Sequence, residues 1–322
     1  MASESEYISA EVLNADDNHN ESKKKLDYTP KLKWPDLIAQ IFIHGGALYG
    51  LYLTMTAAKI ATTLWALGMI YLSGFGITAG VHRLWSHRAY KASGRYLMFL
   101  VFSNSRHIYA WALDHRVHHK YSESDSDPHD ARRGFWFAHV GWLFLTPHPS
   151  VEARRKAIDM TDLENDPIVY WQREMYIPLF ALLCIGLPVF VPWYYFDESL
   201  WISFFVCFNL SFAHMYGFKP YDKNIMPTEN IFVSLTALGE GWHNYHHVFP
   251  QDYKTGEFGT YGMNFTTAFI DAFAYLGQAY DLKAVDPALI KKRAARSGDL
   301  SCKLSVDSDQ INESLCLCFF AT

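Results

Sequence analysis

Four apolar windows constrain the fold of this chain more than any other feature. They span residues 37–58, 60–81, 175–196 and 201–218, and each is close to the ~20 residues that a helix needs to cross the hydrocarbon core of a bilayer. Hydrophobic residues make up 50% of the sequence and aromatic residues 16%, which is rich for a soluble protein. The sequence therefore predicts an all-α membrane protein with four transmembrane helices.

The windows pair into two hairpins, because the connection within each pair is short. A break at Lys59 separates the first two windows, and the acidic turn Asp197-Glu198 separates the last two. Lysine and arginine residues flank the opposite ends of the windows, and the positive-inside rule assigns those ends to the cytosol. We therefore expect a multi-pass protein with both termini and a helical cap on the cytosolic side.

The sequence outside the windows divides into two tails and one domain. Residues 1–35 form a polar, cytosolic N-terminal tail, residues 36–285 form the transmembrane and cytosolic domain, and residues 286–322 are expected to be a mobile, cytosolic C-terminal tail. No apolar core precedes a cleavage site near the N-terminus, so we expect membrane insertion through an internal segment. The net charge of -5 and the lack of a long basic block argue against nucleic acid as a partner.

Histidines cluster in three short motifs, HRLWSH, HRVHH and HNYHH, which hold eight of the 15 histidines. The eight are His82, His87, His115, His118, His119, His243, His246 and His247. In the second and third motifs the spacing i, i+3, i+4 places three imidazoles on one helical face. One such cluster can be a solvated polar surface, but three clusters beside apolar windows predict a metal centre, since buried imidazoles need partners.

The number of imidazoles predicts two metal ions. Eight exceed the about four to six ligands of one first-row ion, and a nitrogen donor set without cysteines favours a redox pair of Fe ions over structural zinc. His214, at the end of the fourth window, is a ninth candidate, because polar groups at that depth are costly and usually functional. It could instead simply bond a neighbour. The single histidines are predicted not to be ligands: His19, His44, His107, His129, His139 and His148.

These motifs and their flanks resemble the integral-membrane stearoyl-CoA, or delta-9-type, fatty acid desaturases, particularly those of insects. The matching segments are GITAGVHRLWSHRAYKA (76–92), DHRVHHKYSESDSDPHDARRGFWFAHVGWLF (114–144), HMYGFKPYDKNIMPTEN (214–230) and GEGWHNYHHVFPQDYKTGEFG (239–259). The resemblance covers about residues 30–285. It implies one iron on His82, His87, His115, His119 and His246, and the other on His118, His214, His243 and His247.

The resemblance also implies an activity and its partners. Family members introduce a double bond into a fatty acyl-CoA, using O2 and two electrons that cytochrome b5 and its reductase deliver at the endoplasmic reticulum membrane. In an insect, the product could be a sex-pheromone precursor. Two alternatives stay open: a sister reaction on the same irons, such as hydroxylation, conjugated-diene formation or terminal desaturation, and a non-catalytic, metal-binding membrane protein.

Several positions depart from the family pattern. They carry Arg106, Leu113, Thr146, Pro147, Cys207 and Leu210. Leu210 replaces an Asn that holds a water on the second iron in the family, and at Leu113, Thr146 and Pro147 the family has cations, which pair with phosphates. We predict substrate contacts from Arg106 and the retained Asp114, and an unusual substrate or position of attack. Four other cations could compensate: Arg132, Arg133, Arg154 and Arg155.

Overall fold

Helices form nearly all the regular structure over residues 28–95, 107–207, 219–256 and 261–299, which are the residues that this computed structural model describes. The α-helices are α1 (Trp34–Thr56), α2 (Ile60–Phe75), α3 (Ile108–Tyr121), α4 (Trp142–Phe144), α5 (Pro149–Ala157), α6 (Thr161–Glu164), α7 (Pro167–Glu174), α8 (Tyr176–Phe180), α9 (Leu187–Tyr195), α10 (Leu200–Cys207), α11 (Ile231–Thr236), α12 (His243–Val248), α13 (Phe265–Tyr275) and α14 (Pro287–Ser297). Three π-helical stretches are Gly76–Ser86, Phe137–Gly141 and Ala181–Gly186, and two 3-10 turns are Ala131–Arg133 and Tyr261–Met263. Strands β1 (Lys91–Ala92) and β2 (Ala279–Tyr280) pair antiparallel.

Within the described ranges, three helical runs are long and apolar enough to cross a membrane. They are Trp34–Thr56, Ile60–Ser86 and Tyr176–Tyr195. Three of the four predicted windows are thereby confirmed as helices of spanning length. In the fourth window α10 begins at Leu200 and is described to Cys207. The rest of that window lies outside the described residues, so the fourth span stays a prediction.

The turns of the two predicted hairpins contact each other. Glu198, which is 6% exposed, accepts hydrogen bonds from the Lys59 backbone N–H at 2.8 Å and from Thr62 Oγ1 at 3.0 Å. Helix α10 also packs against α1, α2 and α9. The short apolar hairpins therefore meet side by side, and Glu198 satisfies backbone and hydroxyl donors that would otherwise be buried without a partner.

The third spanning run contains prolines at 178, 188 and 192, and part of its backbone hydrogen bonding is π-helical instead of α-helical. Its middle is the π-helical stretch Ala181–Gly186. Trp65 of α2 donates its indole N–H to the Pro188 carbonyl at 3.1 Å. A neighbouring helix thus supplies a donor inside an apolar run, as is typical of membrane helices that contain proline.

A buried core joins the end of the second spanning run to the helices that follow it. It includes Val81, Trp85, Ile108, Ala112 and Ile270, each at most 3% exposed. These residues come from the π-helical stretch Gly76–Ser86, from α3 and from α13. The core therefore fixes the first two histidine motifs relative to each other.

The chain beyond residue 286 contains a packed helix, which differs from the predicted mobile tail. In α14, Ile290 is 5% and Ala294 9% exposed, and both belong to one buried cluster with Tyr221 and Tyr245. Asp286 caps the helix by accepting from the Ala288 N–H at 2.9 Å. The prediction was wrong for these residues because their short apolar stripe is hidden among lysines and arginines. Residues 300–322 lie outside the described residues.

Candidate metal centre

The first histidine motif lies on a π-helical stretch, which explains its spacing of five residues. The His87 N–H donates to the His82 carbonyl at 3.1 Å, an i to i+5 hydrogen bond. A π-helix has more residues per turn than an α-helix, so residues five apart come onto one face. The two imidazole rings lie 4.9 Å apart, centroid to centroid.

The second and third motifs lie on α-helices, as their spacing predicts. His115, His118 and His119 are on α3, and His243 opens α12, which also carries His246 and His247. The three elements meet, so that imidazoles from all three motifs contact one another.

Five of these histidines form one group, which we call the five-histidine group. One nitrogen from each of its members lies within 4.8 Å of the others: His82, His87, His115, His119 and His246. Three pairs of Nε2 atoms are closer still. The separations are 2.9 Å for His82 and His246, 2.8 Å for His87 and His115, and 3.0 Å for His119 and His246.

The other three histidines form an adjoining three-histidine group: His118, His243 and His247. The Nε2 atom of His247 lies 3.3 Å from that of His118 and 3.2 Å from that of His243. The groups touch where the His119 and His247 rings stack, with centroids 4.3 Å apart. The structure thus brings the eight clustered histidines together in the grouping that the resemblance implies. His214 and Arg106 lie outside the described residues.

Carboxylates orient one imidazole in each group. His82 Nδ1 lies 2.6 Å from Glu240 Oε2, and His118 Nδ1 lies 2.9 Å from Asp127 Oδ1. A carboxylate accepts a hydrogen bond, so each Nδ1 carries the proton and each Nε2 turns its lone pair toward the group. Metal-binding histidines are commonly held in this way.

The geometry and chemistry of both groups fit metal ions. Two imidazoles at right angles on one ion, each about 2.1 Å from it, have nitrogens about 3 Å apart, and the observed separations are 2.8 to 3.3 Å. Without an ion, the lone pair of His82 Nε2 would face another ring nitrogen at hydrogen-bond distance. An all-imidazole donor set suits iron, copper, nickel or zinc.

Burial keeps most of the clustered imidazoles in the neutral form that binds metals. Burial first, and then the neighbouring imidazoles, lower the pKa of five of these histidines well below the ordinary value of 6.5. The five are His87, His115, His119, His246 and His247. A neutral ring does not have to lose a proton when it binds an ion near pH 7.

Glu240, whose side chain is partly buried, and the buried Arg83 form an ion pair behind the five-histidine group. Arg83 is fully buried and donates from Nη2 to Glu240 Oε1 at 2.8 Å, while its Nη1 donates to the Tyr253 carbonyl at 2.9 Å. Burial alone would raise the pKa of the Glu240 carboxyl, but His82 and Arg83 lower it well below 4.5. Sequence reasoning missed Glu240, although it lies three residues before the first histidine of the third motif, in GEGWHNYHH.

Asp127 and His129 lie behind the three-histidine group and were also missed as supporting residues. The Asp127 side chain is 1% exposed, and the His129 ring lies 4.1 Å from the His118 ring. Nitrogen or oxygen atoms of His118, Asp127 and His129 also lie within 4.8 Å of one another. The signal in the sequence is the segment DSDPHD (125–130), which follows the second motif after five residues.

Comparison with known proteins agrees with this geometry. Residues 58–254, which include all eight clustered histidines, match the fatty acid desaturase family. The chain belongs to this family. It is 49% identical over 303 residues to an acyl-CoA Delta-9 desaturase of Acheta domesticus, an alignment that covers 88% of this chain and 84% of that protein.

Other relatives span insects and mammals. An acyl-CoA Delta-12 desaturase of Tribolium castaneum is 43% identical, over 96% of this chain and 93% of its own length. A stearoyl-CoA desaturase of Homo sapiens is 46% identical, over 86% of this chain and 82% of its own length. Relatives whose names state different double-bond positions are thus similar to this chain to nearly the same degree.

The predicted substrate residue Asp114 is a buried partner of Arg155. It is 3% exposed, and Arg155 Nε donates to its Oδ1 at 2.6 Å. Arg155 also pairs with Glu152. A contact between Asp114 and substrate stays a prediction, and the structure gives the carboxylate a second role, which is to tie α3 to α5.

Two of the departures from the family pattern, Thr146 and Pro147, line a cavity of about 240 Å³. Asp127, Arg133 and Trp142 also line this cavity. The guanidinium of Arg133 stacks over the Phe137 ring at 3.4 Å. The cavity therefore combines one cation and aromatic rings with the carboxylates of Asp125, Asp127 and Asp130, of which Asp127 orients His118.

Proposed function

We propose that this chain is a membrane-embedded acyl-CoA desaturase that introduces a double bond into a fatty acyl-CoA with O2. The observation that carries the proposal is the convergence of eight imidazoles from three distant motifs into two adjoining groups. The names of the relatives, which include acyl-CoA and stearoyl-CoA desaturases, support the same substrate class.

Each group would hold one iron ion. The five-histidine group supplies a complete set of nitrogen ligands for the first ion, and His118, His243, His247 and the predicted ligand His214 would hold the second. When bound, the iron pair supplies the redox capacity to reduce O2 and to break unactivated C–H bonds. Two hydrogens leave adjacent methylene groups, and O2 with two further electrons and two protons is converted to water.

The residues of the chain would prepare the centre for this chemistry. Glu240 and Asp127 hold His82 and His118 with their Nε2 lone pairs turned inward, and Arg83 keeps Glu240 ionised. We infer that the acyl chain lies among the apolar spanning helices, where water is excluded from the reacting methylenes. The distance from headgroup to metal centre would then select the carbons that react.

The headgroup would bind on the side of the metal centre where the cavity opens. We infer that Arg133 supplies positive charge there, in place of the cations that are missing at Thr146 and Pro147. Contacts from Arg106 and Asp114 remain part of the proposal. A phosphate group would pair with this guanidinium, because two carboxylates of the same lining, Asp125 and Asp130, are already paired with Arg132.

The setting of the reaction is also proposed. We place the protein in the endoplasmic reticulum membrane with four spans and both termini in the cytosol, and with cytochrome b5 and its reductase as separate electron donors. Synthesis of pheromone precursors remains a prediction, and the identity of the unsaturated fatty acid that the protein produces would test it.

Expression in a desaturase-deficient yeast tests the function. We expect new monounsaturated fatty acids, with double-bond positions assigned by mass spectrometry, from the unaltered chain and from the control His44→Gln, but none from His246→Ala. Hydroxylated or conjugated products would identify a sister reaction. Iron bound without any product would favour a non-catalytic membrane protein.

A further inference from the structure

We propose that helix α14 is a clamp that holds the ligand-bearing helix α12, and that its loss releases the ion of the three-histidine group before that of the five-histidine group. The proposal rests on the proposed iron centre. Helix α14 lies beyond residues 58–254, the region that matches the desaturase family and carries the histidine motifs. Its contacts with α12 therefore come from outside the matched region.

The first link is an apolar contact between α14 and α12. Ile290 and Ala294 form one buried apolar cluster with Tyr221 and Tyr245, which are 2% and 1% exposed. Tyr245 directly precedes His246 on α12, and its ring meets that of Tyr221 at 5.1 Å and an angle of 81°. The inner face of α14 therefore covers the side of α12 that carries Tyr245.

The second link joins α14 to the segment 219–223. Arg293 forms an ion pair with Asp222, the Lys223 N–H donates to the Ser297 carbonyl at 2.9 Å, and Ser297 Oγ donates to the Tyr221 carbonyl at 3.0 Å. The end of the helix is closely fitted, because a Cβ atom at Gly298 would clash with the Pro220 carbonyl oxygen.

The third link joins the same segment to α12 through Asn244, which is fully buried. Its Oδ1 accepts from the N–H groups of Tyr221 at 2.9 Å and of Asp222 at 3.1 Å, and its Nδ2 donates to the Asp222 carbonyl at 2.9 Å. Helix α14, the segment 219–223 and α12 thus form one connected unit.

The approach to α14 adds a fourth link. Asp252 Oδ2 accepts from the Val285 N–H at 3.0 Å and from the Tyr245 hydroxyl at 2.8 Å. The chain that enters α14 is therefore bonded to the same carboxylate that fixes the Tyr245 hydroxyl. Movement of α14 would disturb Tyr245 at its ring and at its hydroxyl.

The two histidine groups depend on α12 to different degrees. Helix α12 supplies His243 and His247 to the three-histidine group, which has one further described member, His118. It supplies only His246 to the five-histidine group, whose other members lie on α3, on the stretch Gly76–Ser86 and at His87, which caps that stretch. Ligand distances must hold within about 0.2 Å, so a shift of α12 should weaken the three-histidine group more.

The test measures iron per chain during anaerobic titration of purified, full-length protein with ferrous salt. Ile290→Asp places a charge in the clamp contact, and Leu289→Asp is the matched control, since Leu289 is 52% exposed on the same helix. We expect two tightly bound irons in the unaltered chain and the control. In Ile290→Asp we expect one tight iron and a second that binds about 10-fold or more weakly.

A second background identifies the ion that is lost. His118→Ala removes a ligand of the three-histidine group and should leave one tight iron. Adding Ile290→Asp to His118→Ala should then leave the affinity of that remaining iron unchanged. If Ile290→Asp does not yield folded protein, Arg293→Gln, which breaks only the ion pair with Asp222, decides the question by the same titration.

Two results would overturn the clamp. One is equal binding of two irons by Ile290→Asp and Leu289→Asp, and the other is an equal loss from both histidine groups in folded protein. Failure of the proposed function is distinguishable, because it is read from the products of the unaltered chain in yeast, whereas the clamp is read from the difference in iron binding between Ile290→Asp and Leu289→Asp.

Discussion

The two histidine groups use the same ligand type, but the protein supports them differently. The five-histidine group lies against the fully buried Arg83 and its partner Glu240, and the His82 side chain is 6% exposed. In the three-histidine group His118 is 12% exposed and rests on Asp127, beside a cavity. We infer that the five-histidine group is the rigid half of the centre. The three-histidine group is the half from which a bound ion would exchange more easily.

The largest expected effect comes from removing a ligand from either group. His246→Ala and His118→Ala should each lower desaturated product by at least about 100-fold, because both ions are needed for the reaction. Product analysis in the deficient yeast measures this effect. His44 lies on α1 outside both groups, so His44→Gln should change the amount of desaturated product by no more than about twofold. Substantial product from His118→Ala would argue that only one group is catalytic.

Glu240→Gln should produce the next largest effect, and only on the rigid half. The substitution leaves the buried Arg83 charge without its carboxylate, which costs roughly 3 kcal/mol of stability, and it weakens the hydrogen bond that orients His82. Thermal unfolding and ferrous titration in detergent measure both consequences. We expect iron affinity of the five-histidine group to fall about 10-fold to 100-fold.

Asp127→Asn should affect the other half of the centre. The amide is a poorer acceptor for His118 Nδ1, so we expect the second iron to bind about 10-fold more weakly, while the first is retained. A chelator added to the unaltered protein should likewise remove one iron faster than the other, and Asp127→Asn should accelerate only that faster phase. Equal rates for both irons would contradict the proposed difference in rigidity.

The smallest expected effect is a pH dependence that comes from His129. Burial, and then His118, lower the pKa of His129 from 6.5 to about 3. A depressed folded-state pKa contributes stability that is present above pH 6.5 and is lost as the pH falls toward 3. Because 25% of the His129 side chain is exposed, solvent weakens this effect. We expect the free energy of unfolding to fall by about 1 kcal/mol between pH 7 and pH 5.

His129→Gln tests this expectation in metal-free protein. The variant should lose less stability than the unaltered chain between pH 7 and pH 5, measured by denaturant unfolding at each pH. His139→Gln provides the comparison, because His139 stacks on Phe135 and is not a member of any of the histidine groups. An unchanged pH profile in His129→Gln would place His129 in contact with water.

Much of the local structure follows from sequence patterns. Three apolar windows proved to be helices of spanning length, and the i, i+3, i+4 histidines lie on helical faces, because hydrophobic length and helical period are properties of neighbouring residues. The π-helical turn between His82 and His87 was not predicted, since no periodicity distinguishes it from an α-helix. Helix α14 was missed because only two of its residues, Ile290 and Ala294, are buried.

The sequence by itself determined that this is a helical chain with apolar segments of spanning length, which histidines cluster as candidate metal ligands, and which family it belongs to. Spacing along the chain left open which histidines lie together, and only the tertiary structure decided that. His82 and His246, whose Nε2 atoms are 2.9 Å apart, are separated by 164 positions. Contacts of this kind depend on how distant segments pack together, as do the positions of Glu240 and Asp127 behind the imidazoles they orient.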